Sequence, residues 1–218
     1  MSNNKPKEKV ITSIIDNKLD KILKEIRNLK RRECRKMKIL IDLDWTLYDV
    51  TKQLINLWNK YNTDRPLEYK PNTDWKFHKI LDGTGVELKE LFTMFDKEDF
   101  YDNIHMFDYA EEYINQLSKK HEIIICTKHS DSRRPITEKF IKERFPKCKL
   151  LFVDSFEDKR SIDCDIIIDD KIECLGGRAK YSICYGLYEW NNDVKYDYIR
   201  AVNWYEVEDI IDKINKKY

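Results

Sequence analysis

Apolar positions along the chain follow two rhythms, and each predicts a different element. Between residues 10 and 35, Ile15, Leu19, Ile22, Ile26 and Leu29 fall at alternating intervals of four and three, which lines them along one stripe of a helix. Elsewhere the apolar residues come in short runs: Lys38–Leu43 (KILIDL), Glu122–Thr127 (EIIICT), Lys149–Val153 (KLLFV) and Asp165–Asp170 (DIIIDD). Runs of this length, bounded by polar residues, predict buried strands. Further strands are expected at Tyr181–Tyr185 and Ile199–Asn203. Helices are expected over 51–62 and 86–96, over 108–120 with Asp108 as cap and Glu111 three residues on, from Pro135 to about Phe145, and from about Glu206. Pro66 and Pro71 mark 63–74 as loop.

Strands alternating with helices predict an α/β fold, a Rossmann-like parallel sheet flanked by helices. Such sheets bind ligands beyond the carboxyl ends of their strands. Three of the runs end in polar residues: Asp42 with Asp44, Thr127, and Asp169 with Asp170. In one sheet these endings converge on one pocket. For any single acid the competing expectation is a strand end that faces solvent.

Asp42 and Asp44, two apart at a strand end, point to the same side. Two carboxylates held close resist ionising together, so one keeps a proton. That suits one as nucleophile and the other as general acid. With Asp169 and Asp170 the pocket would hold four carboxylates, which repel without a cation. Oxygen ligands with no nearby His or Cys favour Mg²⁺, and Mg²⁺ with free water positions suits a phosphate group.

Composition narrows the setting. At 218 residues and 41% hydrophobic, the chain can build one α/β domain with an insert, and 37% charged residues make its surface densely ionic. No apolar run is long enough to cross a bilayer, and the Lys-rich N-terminus has no stretch resembling a signal peptide. The six cysteines form no CxxC pair and are expected as reduced, mostly buried thiols, which points to the cytoplasm. The net charge of +1 hides an asymmetry: residues 1–38 carry 13 basic and 5 acidic residues, a net of +8, so the rest nets −7. An acidic body does not suit a general nucleic-acid binder. The stripe over 10–35 suits either packing on its own domain or a coiled-coil homodimer, with a basic arm at Lys30, Arg31, Arg32, Arg35 and Lys36 as a lesser alternative.

The segment Ile41-Asp42-Leu43-Asp44-Trp45-Thr46-Leu47 resembles the DxDxT signature of the haloacid dehalogenase-like (HAD) phosphohydrolases. Thr127 after Ile123-Ile124-Ile125-Cys126 is similar to the second motif of that superfamily, Lys159 ten residues before Asp169 to its third, and Ile168-Asp169-Asp170 to its fourth. Lys139 and Lys142 compete with Lys159 for the third role. The resemblance implies that Asp42 attacks phosphorus, that Asp44 protonates the leaving oxygen, and that Thr127 and Lys159 hold the phosphoryl oxygens. It also implies Mg²⁺ held by Asp42, the Asp44 carbonyl, Asp169 and Asp170, with the direct ligand of the last two left open.

Residues 48–107 occupy the place of the superfamily's cap. The implied domains are a basic tail and helix over 1–36, a core over 37–50 and 105–218, and a helical cap over 51–104. Leu57-Trp58-Asn59-Lys60-Tyr61-Asn62, Thr73-Asp74-Trp75 and Phe100-Tyr101-Asp102-Asn103-Ile104 resemble the 5'(3')-deoxyribonucleotidase family, which implies a nucleoside monophosphate substrate. Trp75 and Phe77, with Trp45 and Tyr48 nearby in sequence, would stack the base, and Lys128 would add a phosphate contact. The chain departs from the family at Val50, where an aromatic is usual, and at Lys128-His129, where a small hydroxyl residue and proline are common. His129 reads as a surface histidine, with a proton shuttle as the alternative. Two other readings stand beside this one: a phosphatase of polynucleotide ends or another small ester, and a non-catalytic assembly protein using residues 10–35.

Overall fold

The computed structural model describes residues 18, 21, 35–71, 74–192 and 198–216. Among them six strands, β1 (Lys38–Ile41), β2 (Glu122–Thr127), β3 (Lys149–Phe152), β4 (Cys164–Asp169), β5 (Ala179–Tyr185) and β6 (Ile199–Ala201), form one sheet in the order β3-β2-β1-β4-β5-β6. Every pairing is parallel. This is the expected α/β architecture, and all four apolar runs read as strands lie within it.

Parallel neighbours need crossover connections, which helices supply. Helices α1 (Val50–Tyr61), α2 (His78–Leu81) and α3 (Leu88–Phe92) occupy the stretch between β1 and β2, and α3 runs into a 3-10 turn at Thr93–Asp96. Helix α4 (Ala110–Leu117) then leads into β2. Helix α5 (Arg134–Arg144) joins β2 to β3, α6 (Phe156–Arg160) joins β3 to β4, and α7 (Trp204–Lys216) follows β6.

Strand side chains alternate between two apolar layers. Ile39, Ile41, Ile123, Ile125, Ile166 and Ile168 enter one core together with residues of α1, α4, α5 and α7. Leu40, Ile124, Cys126, Ile167 and Cys184 enter a second core with Val153, Ile172 and Leu175. Both faces are covered, so the strands read as unbroken apolar runs. The sheet order reverses between β1 and β4. Chains leaving these two neighbours run in opposite directions across the sheet, and the crevice at their carboxyl ends is where such folds place a ligand.

The insert leaves and re-enters the core side by side. Tyr48 forms an isolated antiparallel bridge with Met106, and the Phe107 N–H donates to the Leu47 carbonyl at 2.8 Å. Helix α1 starts at Asp49, whose side chain accepts the Lys52 N–H at 3.1 Å.

Local structure departs from the expected pattern at several places, among them α2, which lies where no element is expected. The helix expected over 108–120 begins at Ala110, because Tyr109 takes a left-handed φ of 69° and Asp108 provides no cap. The helix expected over 86–96 is a five-residue helix plus a 3-10 turn. Helix α6 lies where no element is expected; five residues are too few to show a periodicity, and so short a helix is held by its packing. Cys126, Cys148, Cys164, Cys174 and Cys184 are free thiols, and all but Cys148 are buried. The helix expected over 10–35 lies outside the described residues except for Lys18 and Lys21, which are helical, and Arg35, which is not; its dimer reading also lies outside them. Among the described residues no helix is long and apolar enough to cross a membrane.

Candidate active site

The ends of β1, β2 and β4 each deliver one part of a single cavity of about 490 Å³. Asp42 directly follows β1, and its N–H extends the β1–β4 pairing by donating to the Ile168 carbonyl at 2.9 Å. Asp169 ends β4, with Asp170 next to it. Because β1 and β4 are neighbours, these acids meet: Asp42, Asp169 and Asp170 each offer a carboxylate oxygen within 4.8 Å of the others. Thr127 ends β2 on the far side of β1. Asp44 also lines the cavity, so the two acids of the first motif do face one way. Between Asp44 and Thr46, Trp45 takes a left-handed φ of 55°, an uncommon state for a non-glycine residue that turns the chain sharply below the cavity.

Lys159 reaches this cluster from α6. Ser155 caps that helix by accepting the Asp158 N–H at 3.0 Å. At its far end Gly177, with a φ of 63°, lets the chain entering β5 press against Arg160; a Cβ there would stand 2.2 Å from the Arg160 carbonyl oxygen. Held at both ends, α6 buries Lys159, whose ammonium donates to Asp42 Oδ1 at 2.5 Å and to Asp169 Oδ2 at 2.7 Å. Lys139 and Lys142, the alternatives on α5, do not line the cavity.

The charges do not balance. Three carboxylates, Asp42, Asp169 and Asp170, share one ammonium, which leaves two negative charges uncompensated if all three are ionised. Burial, offset in part by Lys159 and reinforced by Asp169, pushes the Asp42 carboxyl up to about 7. Burial, then Asp169 and Asp42, raise Asp170 well above the usual carboxylate range. A buried, oxygen-only cluster whose acids resist ionising together without a further counter-charge fits a hard divalent cation.

Asp44 has different surroundings. The Arg133 guanidinium grips it with two bonds, Nη1 to Oδ2 at 2.7 Å and Nη2 to Oδ1 at 2.8 Å. Tyr48 donates its hydroxyl to Oδ1, and His129 Nε2 lies 3.2 Å from Oδ2. Burial favours the neutral carboxyl, but Arg133 and then His129 outweigh it and hold Asp44 well below the usual range.

His129 is therefore not the surface residue expected. It is buried, with Nε2 3.1 Å from the Thr127 hydroxyl and Nδ1 2.9 Å from the Thr137 hydroxyl. Polar residues just beyond a strand end can turn inward over the sheet, and a single polar stretch does not reveal that turn. Arg133 lies in the same polar run, six residues after Thr127, and pattern alone gives no sign of its role.

The wall away from the acids is aromatic. Trp75 lines the cavity at 41% exposure, and Lys128, Phe92, Phe95 and Phe156 line it too. The indoles of Trp45, Trp75 and Trp190 meet in a triangle with centroids 5.0–5.5 Å apart. Trp190 ties this cluster to the acids by donating to Asp170 Oδ2 at 2.7 Å. The Lys171 ammonium lies 4.3 Å from the Trp75 ring and 4.1 Å from the Phe156 ring, between the two. Phe77 does not reach the cavity: it is buried behind it, against Trp45 and Phe92. Nothing in the sequence marks Trp190, Lys171 and Phe156, because long chain separations divide them from Trp75.

The fold is that of known hydrolases. A HAD-superfamily hydrolase, subfamily IA, variant 1, from Geobacter sulfurreducens is 11% identical, with a TM-score of 0.53 over 82% of this chain and 97% of that one. A protein described as the HAD-hydrolase YfnB from Bacillus subtilis, bound to magnesium, is 15% identical, with a TM-score of 0.53 over 81% and 99%. A predicted phosphoglycolate phosphatase from Haemophilus somnus is 14% identical, with a TM-score of 0.51 over 81% and 98%. These likenesses show the fold alone. No curated protein sequence matches the chain. A family model does, over residues 35–218, which spans the whole sheet, the insert and every cavity residue named above. That match makes the chain a member of the "5' nucleotidase, deoxy (Pyrimidine), cytosolic type C protein" family, and so a HAD-fold phosphoric monoester hydrolase.

Proposed function

We propose that the protein hydrolyses nucleoside monophosphates with Mg²⁺ through an aspartyl-phosphate on Asp42. One observation carries this reading: a single cavity joins a cluster of carboxylates and Lys159 at one end to a wall of aromatic rings at the other. The first end suits a phosphate and the second a flat base. We place the protein in the cytoplasm, in keeping with the family's description. We also take residues 51–104 as the cap, residues 37–50 and 105–218 as the core, and residues 1–36 as a separate basic segment.

In this mechanism Asp42 attacks phosphorus, the new Asp42–phosphorus bond forms, and the bond to the leaving oxygen breaks. Arg133 and His129 hold Asp44 as the carboxylate, so Asp44 first takes up a proton from solvent and then passes it to the leaving oxygen. It then receives a proton from the water that attacks the aspartyl-phosphate, so ester and water yield alcohol and phosphate. Lys159 and the Thr127 hydroxyl hold the phosphoryl oxygens and offset their growing charge, with Lys128 at the rim. Asp42, Asp169, Asp170 and the Asp44 carbonyl would hold Mg²⁺, which when bound supplies charge neutralisation at the phosphoryl oxygens. Trp75 is the base-stacking residue.

A panel of deoxynucleoside and ribonucleoside monophosphates, with a 3'-phosphorylated oligonucleotide and glycerol phosphate, tests the substrate class. Phosphate release is expected from the nucleotides, is expected to stop with EDTA, and is expected to return with Mg²⁺. Release from the oligonucleotide alone would favour polynucleotide ends, and none from any ester by folded protein would end the enzymatic reading. Stacking on one ring contributes about 1–3 kcal/mol, so Trp75→Ala should raise KM for nucleotides at least about fivefold. KM for glycerol phosphate, which has no ring, should stay the same; an equal rise for both would remove Trp75 from the base site.

A further inference from the structure

We infer that Arg133 is a positioning residue, which fixes the Asp44 carboxylate in the cavity and ties its orientation to the seating of the helical insert. The inference rests on the proposed acid/base role of Asp44 and assigns work to a residue outside the four motifs.

Its geometry departs from that of an ordinary ion pair. Arg133 is buried, and the guanidinium meets Asp44 through two parallel bonds, an arrangement that fixes the carboxylate plane as well as its place. A lysine ammonium could supply the charge but not the fork. The same Nη2 contacts the Tyr48 hydroxyl at 2.9 Å and the Tyr101 hydroxyl at 3.3 Å. Tyr48 donates its own proton to Asp44, so the carboxylate is held from two sides by groups that also hold each other.

The guanidinium is in turn placed by the insert. Its central carbon lies 4.3 Å from the Phe95 ring centroid and 4.5 Å from that of Phe100, and both rings come from the stretch between β1 and β2. Rings with negative faces hold a planar cation in one attitude. The Nε–H of Arg133 finds no acceptor among the described residues. A buried donor left unpaired is costly, and the arrangement accepts that cost while both terminal nitrogens serve Asp44. Arg133 begins the turn into α5 on the core side, so one side chain spans the acid of the first motif, the chain after the second motif, and the insert. If the insert shifts, Phe95 and Phe100 move, and the fork that holds Asp44 moves with them.

A residue that acts only through Asp44 has nothing to act on once Asp44 is gone. The test is therefore a double-mutant cycle of Arg133→Met and Asp44→Asn, read as kcat and KM with a deoxynucleoside monophosphate, and with p-nitrophenyl phosphate where turnover is low. In the native background Arg133→Met should lower kcat at least about 30-fold, a large part of the roughly 10²–10⁴-fold that acid/base groups contribute, with KM changed less than about threefold. In the Asp44→Asn background it should lower kcat less than about threefold, because the losses of residues acting as one unit do not multiply. Arg133→Lys, which keeps the charge and loses the fork, should recover less than about a tenth of native kcat. A thermal melt on each variant identifies any that fail to fold, and Arg133→Lys carries the test if Arg133→Met is among them.

Losses that multiply across the cycle would overturn the inference and leave the role of Asp44 standing. Full activity in Arg133→Lys would also overturn it, since charge alone would then suffice. Native turnover in Asp44→Asn would instead remove the acid/base role of Asp44, and the inference would fall with it.

Discussion

Asp42→Asn is expected to lower turnover by more than about 10⁴-fold, the scale of loss when a covalent nucleophile is removed, while leaving the fold intact. The amide has the shape of the carboxylate but neither its charge nor its nucleophilic oxygen. The fold should tolerate it for a reason visible in the cluster. Asp42 is one of three carboxylates around one ammonium, so its neutralisation relieves repulsion as well as removing an attraction. Lys159 keeps Asp169 as a partner at 2.7 Å. Phosphate release and a thermal melt, measured on the same preparation, check both halves. Activity above a hundredth of native would refute the nucleophile assignment; a collapsed melt would refute the charge argument.

The second large effect is expected at Lys159. Replacing it by Met removes the ammonium shared by Asp42 and Asp169 and leaves buried carboxylates without a counter-charge. Removing one partner of a buried ion pair costs roughly 3–5 kcal/mol, so the urea midpoint of Lys159→Met should fall well below native. Turnover should fall by at least about 10³-fold, since the proposed phosphoryl contact is lost together with the charge. Added Mg²⁺ should restore part of the stability, because a ligand bound by the native state alone shifts unfolding by mass action. An unchanged urea midpoint would show that Lys159 is not the counter-charge its position suggests.

These two residues were not equally legible. Asp42 announces itself: an acid directly after an apolar run, with a second acid two positions on. Lys159 stands in a polar stretch with no strand or helix signature, and only its distance from Asp169 marks it. Its burial depends on α6, which lacks the length to declare itself, and on Gly177, which lets the chain close behind it. Arg133 and His129 were harder still. Both stand in the run Lys128–Arg134, which by composition is a solvated loop, yet both fold inward because Asp44 waits there with unmet hydrogen-bonding capacity. Phe77 fails in the opposite sense. An aromatic two residues from Trp75 is an equal candidate by sequence, but the left-handed backbone at Phe77 places its ring in the insert's core, against Trp45 and Phe92.

By itself the sequence determined the sheet and the acids at its strand ends. Strands buried on both faces must be apolar along their whole length, and their ends must return to polar residues; that one-dimensional pattern survives in the order of residues. Tertiary structure alone decided which polar residues those acids meet. Arg133 and His129, which bind Asp44 beside its near neighbour Tyr48, come from the chain after β2, and the rings facing the cavity come from Trp45 after β1, Trp75, Phe92 and Phe95 in the insert, and Phe156 in α6. Such pairings join residues dozens of positions apart, and no local periodicity records which loops a closed sheet will bring together.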